Sequence, residues 1–209
     1  GAKEIQLLWR EFQAFQWFTG DVRGEDEKMK QTVSQLKKSI PFQYIIGRAY
    51  FYDFELKVNR HTLIPRPETE ELVYKIIQDY KFRKSCKVLD IGTGSGCIAI
   101  ALAKHLPNAE IHAVDVDRKA LRVASENADK LGVNVQFSEV DILNLGSLSV
   151  TYDVIVSNPP YIPLSEKKHM SANVLDNEPH LALFVDDHHP FLFYEKIAIL
   201  AESALNEDG

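Results

Sequence analysis

The sequence is poor in cysteine and has no long apolar run. Its 209 residues include two cysteines, Cys86 and Cys97, whose spacing fits neither a CxxC motif nor a disulfide framework, so we expect reduced thiols in a cytoplasmic protein. The longest uninterrupted apolar run, Cys97–Ala103, is too short for a membrane span of about 20 residues. No basic segment followed by an apolar one opens the chain, so neither secretion nor membrane association is expected.

Positive charge is also scarce. Lysine and arginine number 24 against 30 aspartate and glutamate residues, which gives a formal net charge of −6. Because nucleic-acid binding needs clustered positive charge, a partner held by phosphate contacts is disfavoured. None of the seven histidines has metal-ligand spacing with neighbouring acids or thiols, so no metal is predicted. With 45% hydrophobic residues, the composition is that of an ordinary globular protein.

Two helical patterns open the chain. Residues 3–18 carry apolar side chains at helical spacing, and a second set runs from Met29 to Ile40, where Pro41 ends it. Their apolar stripes favour packing surfaces over a cofactor site. We expect these helices to form an accessory helical domain over residues 1–46.

The apolar period changes to two in the next segment. Apolar and polar side chains alternate over residues 49–58, which predicts one half-buried strand. Residues 59–61 can turn the chain, so residues 62–64 are expected to return as the partner strand of a hairpin. This hairpin is predicted to link the domains over residues 47–66. A helix with acidic residues in its first turn follows over residues 68–79.

Strand and helix patterns alternate in the rest of the chain. Strands are predicted at 87–91, 110–115, 133–140 and 152–157, and helices at 95–106, 118–131 and 190–205. Such alternation implies an α/β fold with a doubly wound, Rossmann-like parallel sheet. The second predicted domain spans residues 67–209.

A glycine-rich loop follows the first strand of this domain. It consists of Asp90, Ile91, Gly92, Thr93, Gly94, Ser95 and Gly96. Glycine at alternate positions lets the backbone turn tightly and approach a ligand, and open α/β sheets bind ligands at the carboxyl ends of their strands. The segment from Gly94 also fits the dinucleotide pattern G-x-G-x-x-G/A, with Asp115 at about the distance of a ribose-binding acid.

Electrostatics distinguishes two ligand classes for this loop. A dinucleotide would place a pyrophosphate beside the carboxylate of Asp90, which is unfavourable. S-adenosylmethionine instead carries an ammonium and a sulfonium cation, for which Asp90 is a suitable neighbour. Asp115 would then hold the ribose hydroxyls and Asp141 would accept from the adenine amino group, although each of these two could equally serve as a cap or turn residue. Their joint position at successive strand ends favours S-adenosylmethionine, with NAD as the alternative.

A proline-rich segment follows the fourth strand. It consists of Ser157, Asn158, Pro159, Pro160 and Tyr161. A simple turn is the ordinary interpretation of such a segment, but these residues emerge at the same sheet edge as the glycine loop and should line the same pocket. The segment is similar to the (Asp/Asn/Ser)-Pro-Pro-(Tyr/Phe/Trp) motif of amino-methyltransferases, and more closely to that of the HemK/PrmC family of glutamine methyltransferases.

Other segments extend this resemblance over about residues 41–205. Pro41–Gly47 resembles the linker of the family. Phe51–Phe54 together with Leu63–Glu70 resembles its hairpin and the segment that closes over the cofactor, and Glu178 with Pro179 resembles the segment after the catalytic motif. The glycine loop itself matches the cofactor loop of the family.

The resemblance implies a methyltransferase that uses S-adenosylmethionine and releases S-adenosylhomocysteine. The implied cofactor-binding residues are Asp90, Gly92, Thr93, Gly94, Ser95, Gly96, Asp115, Asp141, Ile142 and Asn158, where Ile142 replaces a frequent aromatic residue. The implied catalytic residues are Asn158, Pro159 and Tyr161, with Pro160 completing the substrate site. The Asn158 side-chain oxygen and the Pro159 carbonyl would accept the two N–H bonds of a substrate amide and direct its lone pair toward the methyl group.

By the same resemblance, the substrate is the glutamine in the Gly-Gly-Gln loop of a peptide chain release factor. Glutamine in a ribosomal protein and an amino group of DNA or ribosomal RNA are alternatives within the motif class. A binding module without catalysis is the alternative outside it. The resemblance also implies that the helical domain of residues 1–46 recognises the substrate by contacting other parts of the release factor. We expect a monomer. The sheet of the family has seven strands and four are predicted here, so strands beyond residue 209 are expected to be missing, and helices before Pro41 as well.

Overall fold

The structure is a computed structural model that describes residues 25–207 and residue 209. The helix predicted at residues 3–18 lies outside the described residues. The chain divides into two compact units between Ile40 and Pro41, whereas the sequence placed the domain boundary after residue 46. In the first unit, helix α1 (Glu25–Lys37) confirms the second helical pattern. Ser39, with a φ of 59°, follows this helix in a left-handed conformation.

The second unit begins with a short helix and a tight hairpin. Helix α2 (Phe42–Ile46) precedes strands β1 (Arg48–Phe51) and β2 (Phe54–Lys57), which pair antiparallel with Phe51 opposite Phe54. The prediction of one strand over residues 49–58 is therefore wrong, because the chain reverses at Tyr52, whose φ is 56°.

The chain also turns after β2, where the Thr62 amide donates to the Asn59 carbonyl at 2.9 Å. However, no strand forms at residues 62–64 in the structure, so the partner strand predicted there is wrong. The alternation of apolar and polar residues in the sequence is not interrupted at the hairpin, because apolar residues flank the two-residue turn on both sides. The two strands therefore look like one. The buried face changes phase at the turn, from Ala49 and Phe51 to Phe54, Leu56 and Val58.

The strands and helices that follow agree closely with the sequence predictions. They are α3 (Pro67–Tyr80), β3 (Cys86–Ile91), α4 (Cys97–His105), β4 (Ala109–Asp115), α5 (Arg118–Leu131), β5 (Gln136–Glu139) and β6 (Val154–Ser157). The order β5-β4-β3-β6 is parallel throughout, which confirms the doubly wound sheet.

Alternate residues of the central strand β3 enter two hydrophobic clusters on opposite faces of the sheet. Val88 packs with Ile98 and Leu102 of α4 in the first cluster. Leu89 packs in the second cluster with Leu200, which belongs to the last helix. Covering helices on both faces account for the nearly continuous apolar sequence of β3.

The segment after β6 contains short elements and one long helix. These are β7 (Ile162–Pro163), α6 (Ala172–Leu175), β8 (Phe184–Val185) and α7 (Leu192–Ala204), with β7 and β8 paired in parallel. Helix α7 confirms the helix predicted at residues 190–205. Across the described residues, no helix combines the length and the apolar character needed to cross a membrane.

The topology brings two loops together. From β3 the strand order extends through β4 to β5 on one side, while β6 lies on the other side of β3. The direction of winding therefore changes between β3 and β6, and ligands of open α/β sheets bind outside the carboxyl ends of the strands at such a point. The glycine loop leaves β3 and the proline-rich segment leaves β6 at this edge.

Candidate functional site

The glycine loop needs left-handed backbone at three positions. Gly92, Gly94 and Gly96 have φ values of 73°, 56° and 84°, which residues with a Cβ adopt at a cost. Gly96 has a second requirement, because a Cβ there would lie 2.8 Å from Ile100 Cδ1 and 3.1 Å from Ala124 Cβ. It lets α4 start against α5, and it does not line the cavity described below.

The backbone N–H groups of this loop are largely occupied by protein acceptors. The amides of Gly92 and Thr93 both donate to the Val114 carbonyl, at 2.8 and 3.0 Å. The Gly94 amide donates to Asp115 Oδ2 at 2.8 Å, and the Gly96 amide donates to the Thr93 carbonyl at 2.8 Å. A dinucleotide pyrophosphate depends on free loop amides, so this arrangement does not suit one.

Asp115 connects the loop to the end of β4. Its Oδ2 accepts from Gly94, and its Oδ1 accepts from the Asp117 amide at 2.9 Å. Burial raises the pKa of this carboxyl, while the two backbone donors oppose the increase. Asp115 lines the cavity at the sheet edge, where a carboxylate can accept from the vicinal hydroxyls of a ribose.

Asp90 lies beneath the loop and not in the cavity wall. The side chain is fully buried, and its Oδ2 accepts from the Thr93 hydroxyl at 2.6 Å and from the Ala99 amide at 3.3 Å. Burial raises the pKa of Asp90 to about 7. Asp90 is predicted from the sequence as a cofactor-binding residue near the ligand cations, and this stays a prediction. Its contacts in the structure are with the loop and the first turn of α4.

Asp141, which follows β5, both caps a turn and lines the cavity. Asp141 accepts from the Leu143 amide at 3.0 Å and from Asn144 Nδ2 at 2.7 Å, which starts a short 3-10 helix, Ile142–Asn144. Asp141 and Ile142 both line the cavity. The capping and binding interpretations of Asp141 are therefore compatible, since one carboxylate has lone pairs for both.

The proline-rich segment begins at the opposite wall of the cavity. Ser157 Oγ donates to the Ile91 carbonyl at 2.7 Å, so the end of β6 is joined to the end of β3. Asn158, Pro159 and Pro160 line the cavity. Tyr161 is not among the lining residues, and its side chain is 57% exposed.

The structure thus collects most of the predicted site residues around one cavity. The predicted residues that line it are Gly92, Thr93, Gly94, Ser95, Asp115, Asp141, Ile142, Asn158, Pro159 and Pro160. Asp90, Gly96 and Tyr161 lie outside this lining. In the part of the chain that the structure describes, no group of three or more metal-ligating side chains is found.

Thr69, Arg66 and Glu178 are among the residues at or beside the cavity for which no role is predicted from the sequence. Thr69 accepts a hydrogen bond from Asn158 Nδ2 at 3.3 Å. Arg66 lines the cavity and donates to Glu178 Oε1 at 2.7 Å. The Glu178 side chain is only 1% exposed and also accepts from the Ile64 amide at 3.2 Å. Their segments carried the family resemblance, but nothing in the sequence showed which side chains meet.

Comparison with known proteins agrees with this geometry. Residues 69–180 match the family described as Methyltransferase small domain. A release factor glutamine methyltransferase of Lactococcus lactis is 40% identical over 99% of this chain and 77% of its own length. The chain belongs to the HemK/PrmC family.

A second relative of the same name, from Flavobacterium psychrophilum, is 52% identical over 84% of this chain. This HemK/PrmC chain spans 62% of the length of that relative. Among solved structures, the hMettl16 catalytic domain in complex with a MAT2A 3'UTR hairpin has a TM-score of 0.56 and 18% identity, over 72% of this chain and 58% of that one. That likeness shows the methyltransferase fold of the HemK/PrmC chain and nothing finer.

Proposed function

We propose that this chain binds S-adenosylmethionine and transfers its methyl group to the side-chain amide nitrogen of a glutamine in a peptide chain release factor. One observation carries the proposal. Asn158 and Pro159 line the same cavity as the glycine loop and Asp115, so an amide-binding pair and a nucleoside-binding wall face one space. The relatives named as release factor glutamine methyltransferases supply the substrate class.

The lining residues fit S-adenosylmethionine better than a dinucleotide. Asp115, Asp117 and Asp141 place three carboxylates at the cavity, and the loop amides are occupied as described above. Asp115 would hold the ribose hydroxyls, while Asp141 and the apolar side chain of Ile142 would face the adenine. When bound, this cofactor supplies an electrophilic methyl group on a sulfonium. The role of Asp90 is to support the loop from below.

The residues of the proline-rich segment can orient the substrate amide nitrogen, which is a weak nucleophile. An amide nitrogen reacts poorly because its lone pair is delocalised into the carbonyl. Asn158 Oδ1 and the Pro159 carbonyl can accept its two N–H bonds, which holds the nitrogen in an orientation that exposes the lone pair. Pro159 and Pro160 restrict the backbone, so little entropy is lost when substrate binds. The half-exposed ring of Tyr161 would pack on the planar amide at the entrance.

Charge and family weigh against the alternative substrates. The chain carries a net charge of −6, which is unfavourable for binding a phosphate backbone. We assign recognition of the rest of the release factor to the unit before Pro41. We further propose that the chain acts as a monomer in the cytoplasm.

Mass spectrometry tests the proposed reaction directly. A release factor is incubated with this chain and S-adenosylmethionine, and the peptide that contains Gly-Gly-Gln is analysed. We expect one added methyl group on the glutamine side chain. Parallel reactions contain a ribosomal protein or nucleic acid instead. Methylation of one of these, with none on Gly-Gly-Gln, would show that the release factor is not the substrate. Binding of NAD without binding of S-adenosylmethionine would contradict the proposal altogether.

Substitution of Asn158 tests the residue assigned to the amide. The Asn158→Ala variant should lose at least about 100-fold in turnover, because the orientation of the amide nitrogen is lost. Its affinity for S-adenosylmethionine, measured by calorimetry, should stay within a few-fold. Asn134→Ala is the matched control. Asn134 is exposed and lies before the amino end of β5, whereas the cavity is at the carboxyl ends of the strands. Equal turnover of the two variants would show that the assigned role is wrong.

A further inference from the structure

The side-chain amide of Asn158 is held from one side only. Its Nδ2 donates to Thr69 Oγ1 at 3.3 Å, across 89 residues of sequence. Among the described residues, no group donates a hydrogen bond to Asn158 Oδ1. The amide nitrogen is thus directed to the protein while the amide oxygen is left for an incoming donor.

Thr69 is itself firmly placed. It is 7% exposed, and its amide donates to the Arg66 carbonyl at 3.0 Å in the first turn of α3. Arg66 is in turn fixed by the buried carboxylate of Glu178 at 2.7 Å. Pro67 occupies the first position of the helix, where its fixed φ favours the helical conformation. The Thr69 hydroxyl is therefore a rigid point of attachment.

The two ends of an asparagine amide have opposite hydrogen-bonding character. Oδ1 can only accept and Nδ2 can only donate. A substrate amide nitrogen presents N–H groups, so Asn158 serves it only when Oδ1 faces the cavity. When the Thr69 hydroxyl accepts from Nδ2, it holds that orientation, and it polarises the amide so that Oδ1 becomes a better acceptor.

From these contacts we infer that Thr69 is a positioning residue for methyl transfer, acting through the orientation of the Asn158 side chain. This inference rests on the proposed function, because it assigns to Asn158 the contact with the substrate amide. Thr69 itself need not touch the reacting atoms. It should affect the rate of transfer and not the affinity for the cofactor.

The kinetic test compares two substitutions of the same threonine. Thr69→Val keeps the branched shape and removes the hydroxyl, and Thr69→Ser keeps the hydroxyl. With a Gly-Gly-Gln release factor, Thr69→Val should lower kcat by about 10-fold, the scale of one oriented hydrogen bond, with KM for S-adenosylmethionine within about 2-fold. Thr69→Ser should stay within about 3-fold of wild type. Adding Thr69→Val to Asn158→Ala should cause no further loss.

A spectroscopic test needs neither cofactor nor substrate. In ¹⁵N-labelled protein, the side-chain amide signal of Asn158 is identified by its absence in Asn158→Ala. Its protons should exchange with solvent at least about 5-fold faster in Thr69→Val than in wild type or Thr69→Ser, because one hydrogen bond is lost.

The two readouts separate the possible failures. An unchanged Asn158 signal in Thr69→Val, or a changed signal with wild-type kcat, would overturn the positioning role. A wild-type chain that leaves the Gly-Gly-Gln peptide unmodified would overturn the proposed function, while a Thr69-dependent signal would still support the contact.

Discussion

Two carboxylates beside the same loop have different roles because their surroundings differ. Asp115 lies at the cavity and accepts two backbone N–H bonds through separate oxygens. Asp90 is completely enclosed, and its Oδ1 has no hydrogen-bond partner among the described residues. Desolvation without full hydrogen bonding favours the protonated form, which is why the pKa of Asp90 rises to about 7. Of the two carboxylates, only Asp115 lines the cavity.

The raised pKa of Asp90 predicts a dependence of stability on pH. The folded state keeps the Asp90 proton up to about pH 7, while the unfolded state releases it near pH 4. Folding is therefore opposed increasingly as the pH rises between these values. Asp90→Asn removes the ionisation, so the variant should gain stability relative to wild type from pH 5 to pH 8, on the order of 3 kcal/mol.

Urea unfolding of both proteins across this pH range provides the measurement. Other titrating groups cancel in the difference between the two free energies of unfolding. A difference between wild type and Asp90→Asn that does not change with pH would contradict a raised pKa.

At the scale of elements, the site depends on how closely α4 and α5 approach. Gly96 precedes α4 with a φ of 84°, directly against Ala124 of α5. Asn127, also on α5, is buried and donates to the Ser95 carbonyl at 2.9 Å and the Lys57 carbonyl at 3.0 Å. One helix thus contacts both the glycine loop and strand β2, so the loop geometry depends on this packing as well as on its glycines.

A methyl group at position 96 should disturb this contact. Gly96→Ala combines a left-handed φ with a contact of 2.8 Å to Ile100, so we expect a loss of about 3 kcal/mol in the free energy of unfolding. Gly146→Ala is the matched control, because a Cβ there meets nothing within 4 Å, and it should stay within about 0.5 kcal/mol of wild type. Denaturant unfolding compares the two, and equal stability would show that the approach of α4 to α5 tolerates a Cβ.

At the scale of the whole molecule, the site is a product of the parallel topology. Loops that are far apart in the sequence, after β3, β4 and β6, meet because their strands run in the same direction in one sheet. The ion pair between the partly exposed Arg66 and the buried Glu178 adds the start of α3 to this group. A ligand in the cavity would therefore contact segments from the whole second unit and should stabilise it globally.

Thermal unfolding with added ligand tests this expectation. A ligand present at about 100 times its Kd adds about 2.7 kcal/mol of stability, which corresponds to a rise in Tm of roughly 5–10 °C for a protein of this size. We expect this rise with S-adenosylmethionine or S-adenosylhomocysteine and none with NAD, because the loop amides are occupied. A larger shift with NAD would reverse the assignment of the ligand class.

The spacing of apolar residues predicted secondary structure correctly where each periodic segment forms a single strand or helix. The parallel strands and helices from α3 to β6, and helix α7, agree with the sequence predictions because apolar runs and helical stripes report burial directly. The short elements β7, α6 and β8 were not predicted. The spacing failed at β1 and β2, where apolar side chains on both sides of a two-residue turn imitate one strand. The turn amide of Tyr52 donates to Glu70 Oε1 at 2.8 Å, a contact with α3 that no local pattern contains.

The sequence by itself determined the α/β class, the glycine loop and the family, because these depend on local period and on contiguous motifs. Only the tertiary structure decided that Asp90 supports the loop while Asp115 faces the cavity, that Gly96 is a packing residue, and that Asn158 is bound by Thr69. The physical reason is the same in each case. Burial and hydrogen-bond partners are properties of segments brought together from distant parts of the chain, and sequence spacing does not encode which side chains meet.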